Sequence, residues 1–250
     1  MEYADGTKYE GAWSGGVWNG QGKFTWPAGD TFEGEMTDKY NGSGTITYTS
    51  GDIYVGDVVS LVPHGQGTMT WSNGFKYEGH WNANVYQGQG KFTWPTGETF
   101  EGEVTGWLSG TGVLTYTNGD VYSGGVVSGL HDGQGTMTWS NGFVYEGQWS
   151  AGAYQGQGKF TWPTGETFEG NVTGWLSGTG VLTYTNGITY TGTVSAGSPV
   201  YPGQGTLTWP AGHVFTGTLT SDGTGTGMFH DGSTQADYEC NLIDWVPYPV

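Results

Sequence analysis

Six glutamates recur in one phrase, an aromatic residue followed by glutamate and glycine, at Glu10, Glu33, Glu78, Glu101, Glu146 and Glu169. Two carboxyls held about 5–9 Å apart can hydrolyse a glycosidic bond, one as acid and the other as base or nucleophile. That chemistry requires the two groups to sit in unlike surroundings, and these are copies in equivalent ones. They read as a solvated row. A second recurring phrase, Gly-x-Gly, cradles phosphate only where it follows a strand and opens a helix; here it introduces a strand inside a repeated array. His64, His80, His131, His213 and His230 share no metal-ligand spacing, and no serine, histidine and aspartate recur as a nucleophile motif. The residues therefore point to a non-enzymatic chain with no catalytic residue, no metal and no cofactor.

Aromatic residues are the other group with recognisable chemistry. Trp18, Tyr40, Tyr86, Trp107, Tyr154, Trp175 and Tyr201 each lie just before a Gly-x-Gly. They either fold over the end of an aromatic core or form an exposed rim of the kind used by interface hot spots and sugar-stacking platforms. The motif TGWLSGTG occurs around both Trp107 and Trp175 and would offer a long partner two equivalent contacts.

The elements that position these residues follow from the period. Aromatic-x-Gly recurs at Tyr9, Phe32, Tyr54, Tyr77, Phe100, Tyr122, Tyr145, Phe168, Tyr190 and Phe215, at steps of 22 or 23 residues with a single step of 25. Fixed self-similarity at this length marks a repeat architecture. Above it lies a longer period: the stretch from Lys91 to Gly119 returns from Lys159 with one change, Glu103 to Asn171, an offset of 68 residues. Each unit contains two short alternating β segments joined by Gly-bearing turns, and no stretch keeps a helical period free of glycine. The expected fold is all-β: an elongated single-layer antiparallel meander of about ten stacked hairpins, roughly 20 strands at about 4.8 Å spacing. The array is expected to cover residues 1–227, with residues 228–250 a half-repeat and a cap or docking tail. One face is expected to bury a structural ladder of Tyr9, Phe32, Tyr77, Phe100, Tyr145 and Phe168 with Trp26, Trp71, Trp94, Trp139, Trp162 and Trp209. Trp94→Ala is expected to cost about 3 kcal/mol or more, as large aromatic deletions from cores do.

Composition narrows the partners. Fifty glycines alongside 13 tryptophans and 16 tyrosines describe a folded, turn-dense chain rather than a disordered one. The net charge is −17, arginine is absent and lysines number six, which disfavours nucleic acid and anionic phospholipid alike. Cys240 is the only cysteine, so neither a disulfide nor a thiolate zinc cluster can form within the chain. The start has no basic and apolar leader, and no run approaches the length of a membrane helix, so a cytoplasmic protein is expected.

The units from Tyr9 to Phe32 (YEGAWSGGVWNGQGKFTWPAGDTF) and from Tyr77 to Phe100 (YEGHWNANVYQGQGKFTWPTGETF) carry a pattern that resembles the MORN repeat. The resemblance runs from Tyr3 to about Gly227. It implies a single-layer meander curled into a trough, and a scaffold or interaction module of the kind found in ciliary, cytoskeletal and junctional assemblies. Family members commonly precede Gly-x-Gly with basic residues and a histidine; here only Pro63-His64-Gly65 keeps that histidine. The expected function is a structural scaffold that binds other proteins, with a helix or tail lying in the trough or contacts along the aromatic rim, and homo-oligomerisation is open. The alternative is a carbohydrate- or choline-type cell-wall-binding array using exposed aromatics, which the acidity would suit.

Overall fold

A computed structural model describes residues 1–221, 223–243 and 246–249. Among the described residues there is no helix, and the chain divides into two compact units, Met1–Gly129 and Leu130–Val250. Each is an open antiparallel meander in which consecutive strands pair. In the first unit Lys8–Ser14 pairs with Val17–Thr25, which pairs with Thr31–Met36, and so on to Val121–Val127. In the second, Leu130–Thr138 pairs with Val144–Ser150, and the pattern continues to Ala236–Ile243 and Val246–Pro249. The 25-residue step contains an added short strand, Ser198–Pro199, before Gly203–Thr208 returns to the main pairing with Thr189–Ser195.

Alternation along the strands fixes the core. Tyr9, Phe24, Phe32, Ile46, Tyr54, Met69, Tyr77, Phe92, Phe100, Leu114 and Tyr122 stand directly opposite one another from strand to strand, and all are buried. The same rungs recur in the second unit through Tyr145, Phe160, Phe168, Leu182 and Tyr190. The six glutamates of the repeated phrase fall on the opposite, exposed face, where cross-strand lysines reach some of them, as in Lys91–Glu101 at 3.5 Å. At such exposure these pairs contribute little.

A row of glycines lies two residues along from the aromatic row, on the same face. Gly79 pairs with Gly90 across the strands, and the ring of Tyr77 lies flat over both: a Cβ at Gly90 would stand 2.4 Å from the Tyr77 hydroxyl. The hydroxyl passes over the glycines to donate to the carbonyl of His80 at 3.1 Å. Tyr9, Tyr54 and Tyr145 repeat the arrangement. Aromatic cover over a strand glycine is a recognised device for pinning register.

The ladder differs from the sequence expectation in one respect. Tyr9, Phe32, Tyr77, Phe100, Tyr145 and Phe168 occupy it, but Trp26, Trp71, Trp94, Trp139, Trp162 and Trp209 do not; these are half-buried. The strands end one residue earlier, at Thr25, Thr70, Thr93, Thr138, Thr161 and Thr208. Each tryptophan instead opens a five-residue turn, as where the Trp94 amide donates to the Glu98 carbonyl at 2.9 Å and the Trp94 carbonyl accepts from Gly97 at 2.9 Å. The rung itself is filled by the residue two positions before the tryptophan, such as Phe92.

Candidate interaction site

The half-buried tryptophans assemble something the strand pattern does not announce. In Trp-Ser-Asn-Gly-Phe, residues 71–75, the Trp71 amide donates to the Phe75 carbonyl at 2.9 Å and Asn73 Oδ1 accepts from the Phe75 amide at 3.0 Å. This closed turn sets both rings at one end of the hairpin. Tyr86 and Phe92 come from the next strand, Val85–Thr93, an even number of residues apart and so on one face. Trp107 sits in the tight turn between Thr99–Gly106 and Ser109–Thr115. The residue after it, Leu108, takes a left-handed φ of 46°. Ser109 secures the turn by donating to the Trp107 carbonyl at 3.0 Å and accepting from the Ser128 amide at 2.9 Å.

From that turn the indole folds back over the other rings. Its centroid lies 5.0 Å from Trp71, 5.6 Å from Phe75, 5.8 Å from Tyr86 and 5.5 Å from Phe92. The second unit repeats the cluster 68 residues on, with Trp175 at 4.7 Å from Trp139, 5.6 Å from Phe143, 6.1 Å from Tyr154 and 5.4 Å from Phe160. Most of these contacts are edge-to-face or tilted, the geometry in which ring quadrupoles attract. Trp107 and Trp175 nevertheless remain 45% and 42% exposed. Burial pushes the hydroxyls of Tyr86 and Tyr154, which floor the two clusters, up to about 12. A surface of this kind can take up apolar and aromatic groups and can attract cations over the indole faces. It offers no nucleophile and no acid–base pair, and among the described residues no group of three or more metal-ligating side chains gathers.

The seven aromatics expected along a rim fall into different settings. Trp18 is 1% exposed and stacks on Tyr9, 4.5 Å between centroids and 13° between planes, so it belongs to the core and not to a rim. It lies six residues before Phe24, on the same face of Val17–Thr25, and Trp13 and Phe24 also pack against it. Tyr86 and Tyr154, its counterparts at the 68-residue offset, are half-buried cluster floors, and Tyr201 is also half-buried. Tyr40, Trp107 and Trp175 are exposed, and all three sit in turns. The structure brings the set together in pairs: Trp18 with Tyr40 at 5.2 Å, Tyr86 with Trp107 and Tyr154 with Trp175. Phe75 and Phe143 complete the clusters and were not singled out by spacing. Their recurrence at the long period, beside each Asn-Gly, is the signal that marks them.

The histidines remain apart from these clusters. His131 is buried against Trp149 at 4.7 Å, and burial lowers its pKa to about 4. His213 and His230 each contact a carboxylate, Asp231 at 3.2 Å and Asp237 at 2.6 Å. Hydrogen bonds from Ser233 hold the Asp231 carboxyl well below the usual range.

Among solved structures, the chain is similar to the TCP domain of Drosophila melanogaster SAS-4 (dCPAP) in complex with a proline-rich motif of Ana2 (dSTIL). Identity is 12%, with 69% of this chain and 94% of that one covered, at a TM-score of 0.42. It is also similar to the TCP10 domain of Danio rerio CPAP in complex with a STIL peptide, at 12% identity, 98% and 99% coverage and a TM-score of 0.32. No curated protein sequence matches the chain. The MORN repeat profile matches residues 9–31, 32–53, 54–76, 77–99, 106–121, 122–144, 145–167, 174–189 and 203–214. The chain belongs to the MORN-repeat family.

Proposed function

We propose that this chain is a non-catalytic scaffold that binds other proteins, in the cytoplasm and within a cytoskeletal, ciliary or other large assembly. The observation that carries this reading is the pair of half-exposed indoles, Trp107 and Trp175, each mounted on an aromatic floor at the same place in a duplicated block. Tryptophans anchored in this way, surrounded by packed rings, have the composition and setting of interface hot spots. Net charge −17 without arginine favours basic partners over nucleic acid or anionic lipid. The paired terminal strands Ala236–Ile243 and Val246–Pro249 serve as the cap of the array.

The test is affinity capture from the native source, with the full chain and a Trp107→Ala/Trp175→Ala variant as baits. A protein recovered near-stoichiometrically by the parent chain and lost with the variant is the expected result. Retention on choline or polysaccharide resin with no protein recovered would instead favour a carbohydrate- or choline-binding array, which the same exposed indoles and acidity suit.

A further inference from the structure

In the two later blocks the chain fills its own aromatic cluster with an indole. In the first block it does not. Residue numbers lower by 68 place Tyr3 at Trp71, Thr7 at Phe75, Trp18 at Tyr86, Phe24 at Phe92 and Lys39 at Trp107. The four residues that surround Trp107 thus correspond to four residues around an open cavity of about 350 Å³, lined by Tyr3, Thr7, Trp18 and Phe24 together with Trp26 and Tyr40. Asp5 and Lys39 also border it. The loop that carries the lid elsewhere is built differently here. Asp38 accepts hydrogen bonds from the amides of Tyr40 at 3.0 Å and Asn41 at 3.1 Å, which opens the tight turn into a wider bend. Tyr40 then stands edge-on to Trp18, with Lys39 Nζ 4.9 Å over the Tyr40 ring.

We propose that this cavity is a subsite for a tryptophan side chain presented by a basic segment of a partner protein, the partner supplying the indole that Trp107 and Trp175 supply from within the chain. The occupant follows from the duplication: the framework that closes on an indole in both sister blocks recurs here with three rings, Tyr3, Trp18 and Phe24, and with Thr7 in the place of the phenylalanine. The charge of the segment follows from the chain's −17 and from two acidic groups, Asp5, which borders the cavity, and Asp38, next in the chain to Lys39, against that one bordering cation. Hydrogen bonds from Thr7 and from the Tyr40 amide hold their carboxyls below the ordinary range, so both are anionic. The inference rests on the reading of the chain as a protein-interaction module, and names the side chain that module recognises.

The test is fluorescence anisotropy with the full chain and a fluorescein-labelled hexapeptide carrying one tryptophan among lysines and glycines. The expected result is saturable binding at one site, about tenfold or more tighter than for the same peptide with alanine in place of tryptophan. Grafting the sister lid, Asp38→Gly/Lys39→Trp/Tyr40→Leu, should abolish that binding while the chain keeps its cooperative thermal melt. In the other direction, Trp107→Ala opens a second cavity and should raise the stoichiometry to two, which keeps the proposal decidable if the graft fails to fold. Equal affinity for the two peptides, binding that survives the graft in a folded chain, or unchanged stoichiometry in Trp107→Ala would overturn it. A concentration-dependent dimer in sedimentation that the graft dissolves would assign the cavity to a second copy of this chain, and would overturn it too. The peptide reports on the cavity alone, so peptide binding without any captured cellular protein removes the scaffold reading and leaves the subsite standing.

Discussion

The indole of Trp107 stands edge-on to that of Trp71, with 5.0 Å between centroids and 80° between planes, and Trp175 repeats the relation with Trp139 at 4.7 Å and 81°. Two indoles so close and so crossed couple as an exciton pair. Trp107→Ala and Trp175→Ala should each remove one pair's share of the far-ultraviolet couplet, to which Trp13 and Trp18, 6.4 Å apart and crossed at 82°, add a third. Each should lower stability by about 1–2 kcal/mol, since a half-exposed ring forfeits only part of its burial and its edge-to-face contacts. An intact couplet in either variant would place that indole away from its partner.

Trp94 and Phe92 are neighbours but one, and the structure separates their energetics. Phe92 is fully buried, 4.7 Å from Tyr77 and directly opposite Phe100. Trp94 is half-buried in the turn, with its ring 5.4 Å from Phe75. Phe92→Ala should cost about 3–5 kcal/mol, as deletions of core aromatics do. Trp94→Ala should cost only about 1–2 kcal/mol, in proportion to the area it buries. Denaturant unfolding of the two variants measures both, and equal costs would return Trp94 to the core.

This pair also marks where the sequence stops being legible. The aromatic-x-Gly anchors, the period of 22–23 residues and the alternation within KFT are local and repeated, and they determine the strands, their order and the buried row led by Tyr9, Phe32 and Tyr77. Whether Trp94 is the last strand residue or the first turn residue depends on one hydrogen bond, Trp94 amide to Glu98 carbonyl, which alternation cannot resolve. Trp18 shares the face of Phe24, as its even spacing requires; whether a ring at that position is closed over, or left half-open as Tyr86 and Tyr154 are, depends on neighbours outside its strand such as Tyr3 and Tyr40. The clusters around Trp107 and Trp175 join side chains up to 36 positions apart in sequence, from Trp71 to Trp107, so only the 68-residue period hints at them.

Two glycines distinguish close packing from backbone conformation. At Gly90 the Tyr77 ring occupies the place of a Cβ, with the hydroxyl 2.4 Å away, whereas at Gly133 nothing lies within 4 Å but φ is +74°. Gly90→Ala must push a buried ring off its hydrogen bond with His80 and should cost about 2–3 kcal/mol, as overpacking does. Gly133→Ala should cost about 1 kcal/mol, the penalty for an L residue in the left-handed region. Thermal melts of the two variants give the comparison. A Gly90→Ala chain as stable as the Gly133→Ala chain would mean that Tyr77 does not lie over the glycine row.

His131 should give the stability of the chain a slope between pH 4 and pH 6.5, because burial lowers its pKa from an ordinary 6.5 to about 4. The unfolded chain therefore binds a proton in that interval that the folded chain refuses, so stability rises with pH across it. The contribution is fully present above about pH 6.5 and is lost as the pH falls toward 4, where it reaches roughly 2–3 kcal/mol. Carboxyls whose pKa values are depressed, such as Asp5, Asp38 and Asp52, add losses of the same sign at lower pH. Comparison with a variant separates the two. His131→Phe keeps a ring against Trp149, 4.7 Å from the histidine in the parent chain, and removes the titrating group. Its melting temperature should fall less than that of the parent between pH 6.5 and pH 4, and the two curves should run parallel above pH 7. Parallel curves over the whole range would mean that His131 is solvated in the folded chain.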